Sequence, residues 1–123
     1  MSSRSSVVLC VEDDADTQEM MRVMLGGWGY DFEVAGTCED ALRLINEREL
    51  AAVLLDNSLP DCSGIQLCGQ VRQFDTRLPI IFLSGSAHDE ERRLALACGA
   101  NAFISKPFAM DALLDVLNTY APL

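Results

Sequence analysis

Apolar residues along this chain fall into two kinds of run. VVLCV (7–11), AAVLL (51–55) and PIIFL (79–83) are short, nearly unbroken apolar blocks. Blocks of that kind predict strands buried on both faces, as in parallel sheets. Between them apolar residues recur at helical spacing. After the first block, EDDADTQEMMRVMLGGWG carries Met20, Met21, Met24, Leu25 and Trp28 in register, with acids in its first turn and glycines at its end. A short second strand is predicted over 31–35. Thr37 then caps a helix, with Asp40 in a capping-box-like position and Ala41, Leu42 and Ile45 on one face.

The turn LPDCSG leads from the third strand into a helix bearing Ile65, Cys68 and Val71. The fourth strand, 79–84, opens on a proline, which strands tolerate at that position. DEERRLALACG begins with acids and stops at a glycine, as a helix does. NAFIS (101–105) is the fifth strand. MDALLDVLNTY is the last helix, with Leu113, Val116, Leu117 and Tyr120 expected inward. Strand and helix alternate throughout. The predicted architecture is one doubly wound α/β domain over residues 6–121, a parallel sheet with helices on both faces, preceded by a flexible segment 1–5. Ligands in such sheets sit at the carboxyl ends of the strands.

Composition narrows the choice. The chain has 123 residues, 50% hydrophobic and 23% charged, which suits one soluble globular domain. No apolar stretch has the length of a membrane span and MSSRSS precedes no signal region, so a cytoplasmic location is expected. A net charge of −10 disfavours nucleic acid and anionic membranes. The five cysteines are scattered without a C-x-x-C pair; neither a disulfide framework nor a zinc site is expected, and all five read as reduced thiols. Eight of the nine bases are arginine, and Lys106 is the lone lysine.

The strand ends deliver Glu12, Asp13 and Asp14 from the first strand, Asp56 from the third, Ser84 from the fourth and Lys106 from the fifth. Each has a plain structural explanation: helix cap, Asx turn, loop hydroxyl, surface charge. Their coincidence at equivalent strand ends does not. Carboxylates sharing a pocket repel by roughly 1 kcal/mol per pair at 4 Å in water, and about four times that at an effective dielectric of 20. A cation relieves the repulsion, and oxygen donors on a rigid edge suit Mg²⁺. One carboxylate could then become an aspartyl phosphate, with Lys106 and the metal compensating charge and Ser84 donating a hydrogen bond. Asp56, straight off the most central strand, is the expected nucleophile, and the Ser58 carbonyl is a candidate further ligand.

VVLCVEDDAD, LLDNSLPDCSGIQL, PIIFLSGSA and GANAFISKPF, in this order, resemble the receiver domain of two-component response regulators over residues 6–121. The resemblance implies a flavodoxin-like fold with strand order 2-1-3-4-5. It implies a Mg²⁺ (or Mn²⁺) site at Glu12, Asp13, Asp56 and the Ser58 carbonyl, with Asp56 as phosphoacceptor. Ser84 and Phe103 match the switch positions, the ring turning inward as the hydroxyl moves. Lys106 matches the lysine that meets a phosphoryl oxygen, and the Lys106–Pro107 bond is expected to be cis. The implied partners are a histidine kinase or phosphotransfer protein, docking near the first helix and residues 106–108, and an output domain or protein. A phosphorylation-dependent dimer is compatible with it, and the domain is expected to support only its own phosphorylation and dephosphorylation. Ser84 in place of Thr, Gly85 in place of Ala and Phe103 in place of Tyr depart from the family's commoner residues.

A flavodoxin-like cofactor binder would need a phosphate-cradling loop after the first strand, where EDDAD repels phosphate, and two further readings compete. A degenerate receiver, working as an interaction module, requires loss of Asp56, Lys106 or the acidic pair. A Mg²⁺-dependent phosphatase with an Asp nucleophile wants a second Asp where Ser58 stands. His88 reads as a loop residue. A stand-alone receiver, part of a larger regulator and the receiver of a hybrid kinase all fit.

Overall fold

The computed structural model describes residues 5–85 and 89–123. The expectation of a flexible start falls mainly on 1–4, outside the described residues, as does that for His88; Ser5 donates to the Glu49 carbonyl at 2.7 Å.

Strand and helix alternate in the order β1 (Val7–Val11), α1 (Ala15–Gly27), β2 (Asp31–Ala35), α2 (Cys38–Glu47), β3 (Ala52–Asp56), α3 (Gly64–Arg72), β4 (Ile80–Ser84), α4 (Asp89–Ala97), β5 (Ala102–Ser105) and α5 (Met110–Tyr120). All four strand pairings are parallel, in the order β2-β1-β3-β4-β5. Side chains alternate between the sheet's faces. Leu9, Val11, Val53, Leu55, Ile80 and Phe82 face one core with α2, α3 and α4. Val8, Cys10, Ala52, Leu54, Ile81 and Leu83 face the other with α1 and α5. Both faces being covered explains why the central strands are apolar at consecutive positions.

Local chemistry sets the element ends. Asp14 caps α1, accepting from the Thr17 amide at 2.8 Å. Thr37 caps α2 and Ser63 caps α3 in a full capping box with Gln66. Asp61, from the β3–α3 loop, reaches across to α2 and accepts from the Cys38 and Glu39 amides at 2.8 and 3.1 Å. Those two bonds hold its carboxyl below the usual range, the Cys38 amide contributing most. The Lys106–Pro107 bond is cis, as expected. Among the described residues no helix is long and apolar enough to cross a membrane.

Two expectations fail. Tyr120 is 40% exposed, while Ala121 is buried and its carbonyl accepts from the Tyr30 hydroxyl at 2.6 Å. Periodicity gives the phase of a helical residue, not the point where the layer beneath it ends, and Tyr120 is the last residue of α5. The second failure concerns the thiols. Cys38 and Cys62 form a disulfide, with Cα atoms 6.1 Å apart. They are 24 residues apart in sequence, so only the docking of the β3–α3 loop on the start of α2 brings them together. Cys10, Cys68 and Cys98 remain free thiols.

Candidate functional site

Parallel pairing in register places the carboxyl ends of β1, β3, β4 and β5 along one edge. Asp56 pairs with Leu83, one residue before Ser84, and Ser84 pairs with Ser105, one residue before Lys106. The backbone links continue past the strands: the Glu12 amide donates to the Ala35 carbonyl at 2.9 Å, and the Lys106 amide to the Ser84 carbonyl at 2.6 Å. The site is therefore positioned by the sheet itself.

Carboxylate oxygens of Glu12, Asp13 and Asp56 all lie within 4.8 Å of one another. Glu12 is buried, Asp56 half-buried and Asp13 exposed. Gln18 fixes the acidic turn, its side-chain amide donating to the Glu12 carbonyl at 2.5 Å. Lys106 Nζ stands 3.5 Å from Glu12 Oε2. Burial raises the Glu12 carboxyl above its ordinary value and the Asp56 charge pushes the same way; the Asp14 amide and Lys106 oppose them. The nearby Cys10 thiol is pushed up to about 12, chiefly by burial and then by Glu12. Asp14 is engaged elsewhere: its bonds to the Thr17 hydroxyl and amide hold it low.

An all-oxygen donor set with a buried, destabilised carboxylate fits a hard divalent cation such as Mg²⁺. Soft metals would call for sulfur or imidazole, which this set lacks. Ser58 is exposed and pairs with Ser63 in an isolated antiparallel bridge, which shapes the turn just beyond Asp56. Gly64 makes the close approach of α3 to that turn feasible. A Cβ there would lie 2.8 Å from the Asp56 carbonyl oxygen and 3.0 Å from the Asn57 Cα.

Ser84 is buried, and its hydroxyl donates to Glu91 Oε1 at 2.5 Å. The same oxygen accepts from the Asn57 side-chain amide at 3.0 Å. Glu91 thus ties the end of β4 to the residue after Asp56. Sequence reasoning missed Glu91, Asn57, Gln18 and Gly64. Glu91 sits among the acids that open α4, where the helix dipole already accounts for them. Phe103 already lies inward, 7% exposed, with its ring stacked on Phe82 at 6.4 Å between centroids. Any rearrangement at position 103 starts from that inward position.

The structure thus brings Glu12, Asp13, Asp56, Ser84 and Lys106 to one edge, with Ser58 on the adjoining turn and Phe103 beneath. Similar folds exist among known proteins. The receiver domain of sensor histidine kinase PA1611 from Pseudomonas aeruginosa PAO1, solved with a magnesium ion in its active-site cleft, superposes with a TM-score of 0.88 at 27% identity, covering 97% of this chain and 99% of that one. A CheY-like response regulator receiver domain protein from Methanospirillum hungatei JF-1 gives 0.88 at 28% identity, covering 95% and 93%. Sensor histidine kinase RcsC from Salmonella typhi is 30% identical over 120 residues, 98% of this chain but 13% of the kinase. The chain therefore spans a small part of that relative's length. Residues 8–118 match the response regulator receiver domain, and with the strand order and the acidic strand ends this places the chain in that family, the receivers of two-component systems.

Proposed function

We propose that Asp56 is the phosphoacceptor, taking a phosphoryl group from a phosphohistidine on a kinase or phosphotransfer protein. The observation that carries this reading is the convergence of the three carboxylates, Ser84 and Lys106 on one sheet edge. An Asp56 oxygen forms a bond to phosphorus as the phosphorus–nitrogen bond breaks, and the electron pair leaves on the imidazole. Glu12, Asp13, Asp56 and the Ser58 carbonyl would hold Mg²⁺ or Mn²⁺, which when bound offsets charge on the phosphoryl oxygens. Lys106 leaves Glu12 for a phosphoryl oxygen, and Ser84 exchanges Glu91 for another. Release of Glu91 then alters the α4 face, so the phosphoryl group biases an equilibrium between two packings.

Partner and setting belong to the same proposal. An apolar groove of about 580 Å³ between α1 and the cis-proline turn is lined by Met20, Val23, Met24, Leu83, Pro107 and Phe108. It lies beside Lys106, where a partner's phosphohistidine would arrive, and its methionines suit an apolar helix. The cytoplasm, where such kinases present their phosphohistidines, is the proposed location. The domain catalyses no turnover beyond its own phosphorylation and dephosphorylation. Incubation with a small-molecule phosphodonor and Mg²⁺ tests the reading. The wild-type chain should gain acid-labile phosphate and Asp56→Asn should not; uptake by that variant would overturn the assignment.

A further inference from the structure

Cys38 and Cys62 belong to the segments that follow β2 and β3, the walls on either side of the end of β1. Cys38 is the first residue of α2, three positions after Ala35, whose carbonyl takes the Glu12 amide. Cys62 is in the loop that begins immediately after Asp56 and contains Asn57 and Ser58. Noncovalent contacts between these walls already exist, since Asp61 accepts from the Cys38 and Glu39 amides. The disulfide closes the same gap covalently. Cys38 is buried, whereas Cys62 is half-buried and so is the sulfur that small reagents reach first.

We infer that Cys38–Cys62 is a reversible redox bridge that sets the mobility of the phosphoacceptor loop. In a reducing compartment, disulfides of mesophilic proteins are characteristically transient and sensing rather than structural. A hydroperoxide is the oxidant class. Its O–O bond breaks as the Cys62 sulfur takes one oxygen, giving a sulfenic acid and an alcohol (water, for hydrogen peroxide). The Cys38 sulfur then attacks that sulfur and displaces water, so two thiols lose two electrons and the peroxide gains them. A low-molecular-weight dithiol reverses the step by exchange. Among the described residues three potential donors gather here, Cys38, Asp61 and Cys62, and Asp61 is already taken by two amides, which favours a bridge over a metal.

The bridge itself stands apart from the phosphoacceptor reading; its reversible, sensing character rests on the proposed cytoplasmic location, and its effect on phosphoryl lifetime on the phosphoacceptor reading. The full chain is treated with hydrogen peroxide or dithiothreitol, and linked peptides are mapped after alkylation of free thiols. Amide exchange over 57–64 and aspartyl-phosphate lifetime are then compared for the two forms. The expected result is a 38–62 link that dithiothreitol reverses, exchange slowed roughly tenfold in the bridged form, and lifetimes differing by about threefold or more. Cys38→Ser and Cys62→Ser should each abolish the differences, and Cys62, half-buried in a loop, is the position whose serine variant disturbs packing less. Slowed exchange without phosphate uptake in either form would support the bridge and overturn the phosphoacceptor reading. A different pairing, no link, or equal exchange in both forms would overturn the bridge; slowed exchange with equal lifetimes would overturn its effect on the phosphoryl group.

Discussion

The Ser84 hydroxyl donates to the Glu91 carboxylate at 2.5 Å, spanning from the end of β4 to the first turn of α4. A serine hydroxyl has one proton to give. A phosphoryl oxygen on Asp56 must therefore compete with Glu91 for it. Removing the competitor should favour the phosphoryl-bound arrangement. Glu91→Ala is expected to raise affinity for beryllofluoride with Mg²⁺ by about tenfold, since a hydrogen bond to a charged acceptor is worth roughly 1.5 kcal/mol. Titration of the variant against wild type checks this, and weaker binding would mean that Glu91 supports the site instead of restraining it.

Gly64 and Gly69, both in α3, should respond to alanine with opposite signs. At Gly64 the new Cβ meets backbone, 2.8 Å from the Asp56 carbonyl oxygen, and backbone cannot give way cheaply. Gly64→Ala should cost about 1–3 kcal/mol of stability and weaken Mg²⁺ binding by displacing Asp56. Nothing lies within 4 Å of a Cβ at Gly69, so Gly69→Ala should stabilise by about 0.5–1 kcal/mol. Denaturant titration of both variants distinguishes the cases.

Glu12 gives the site a pH dependence. Its folded-state pKa is raised, by burial first. Without metal, its contribution to stability is present below the ordinary value of 4.5 and is lost as pH rises through the raised one. Metal must displace that proton, so Mg²⁺ binding should strengthen over the same window. The melting-temperature gain on adding Mg²⁺ should be smaller near about pH 5 than near about pH 8. Glu12→Gln should flatten this pH dependence and remove most of the Mg²⁺ gain.

Much of this was legible in the sequence. Near-continuous apolar blocks identified β1, β3 and β4 because a sheet covered on both faces imposes no alternation. Asp56 stood out as a charge at the end of such a block. The Cys38–Cys62 bridge and the Asp61 cap were hidden because they depend on where a loop folds back, which no spacing rule encodes. The bond from Ser84 to Glu91 was hidden differently: acids opening α4 already had a sufficient local explanation. Tyr120 shows the limit of periodicity at a helix end.

Locating the phosphoryl group on the chain tests the central claim most directly. After phosphorylation with a small phosphodonor and Mg²⁺, borohydride reduction converts an aspartyl phosphate to homoserine, which peptide mass spectrometry can place. The label should fall at Asp56 alone, with Asp13 and Asp14 unmodified. Homoserine at either of those positions, or none at Asp56, would contradict the account.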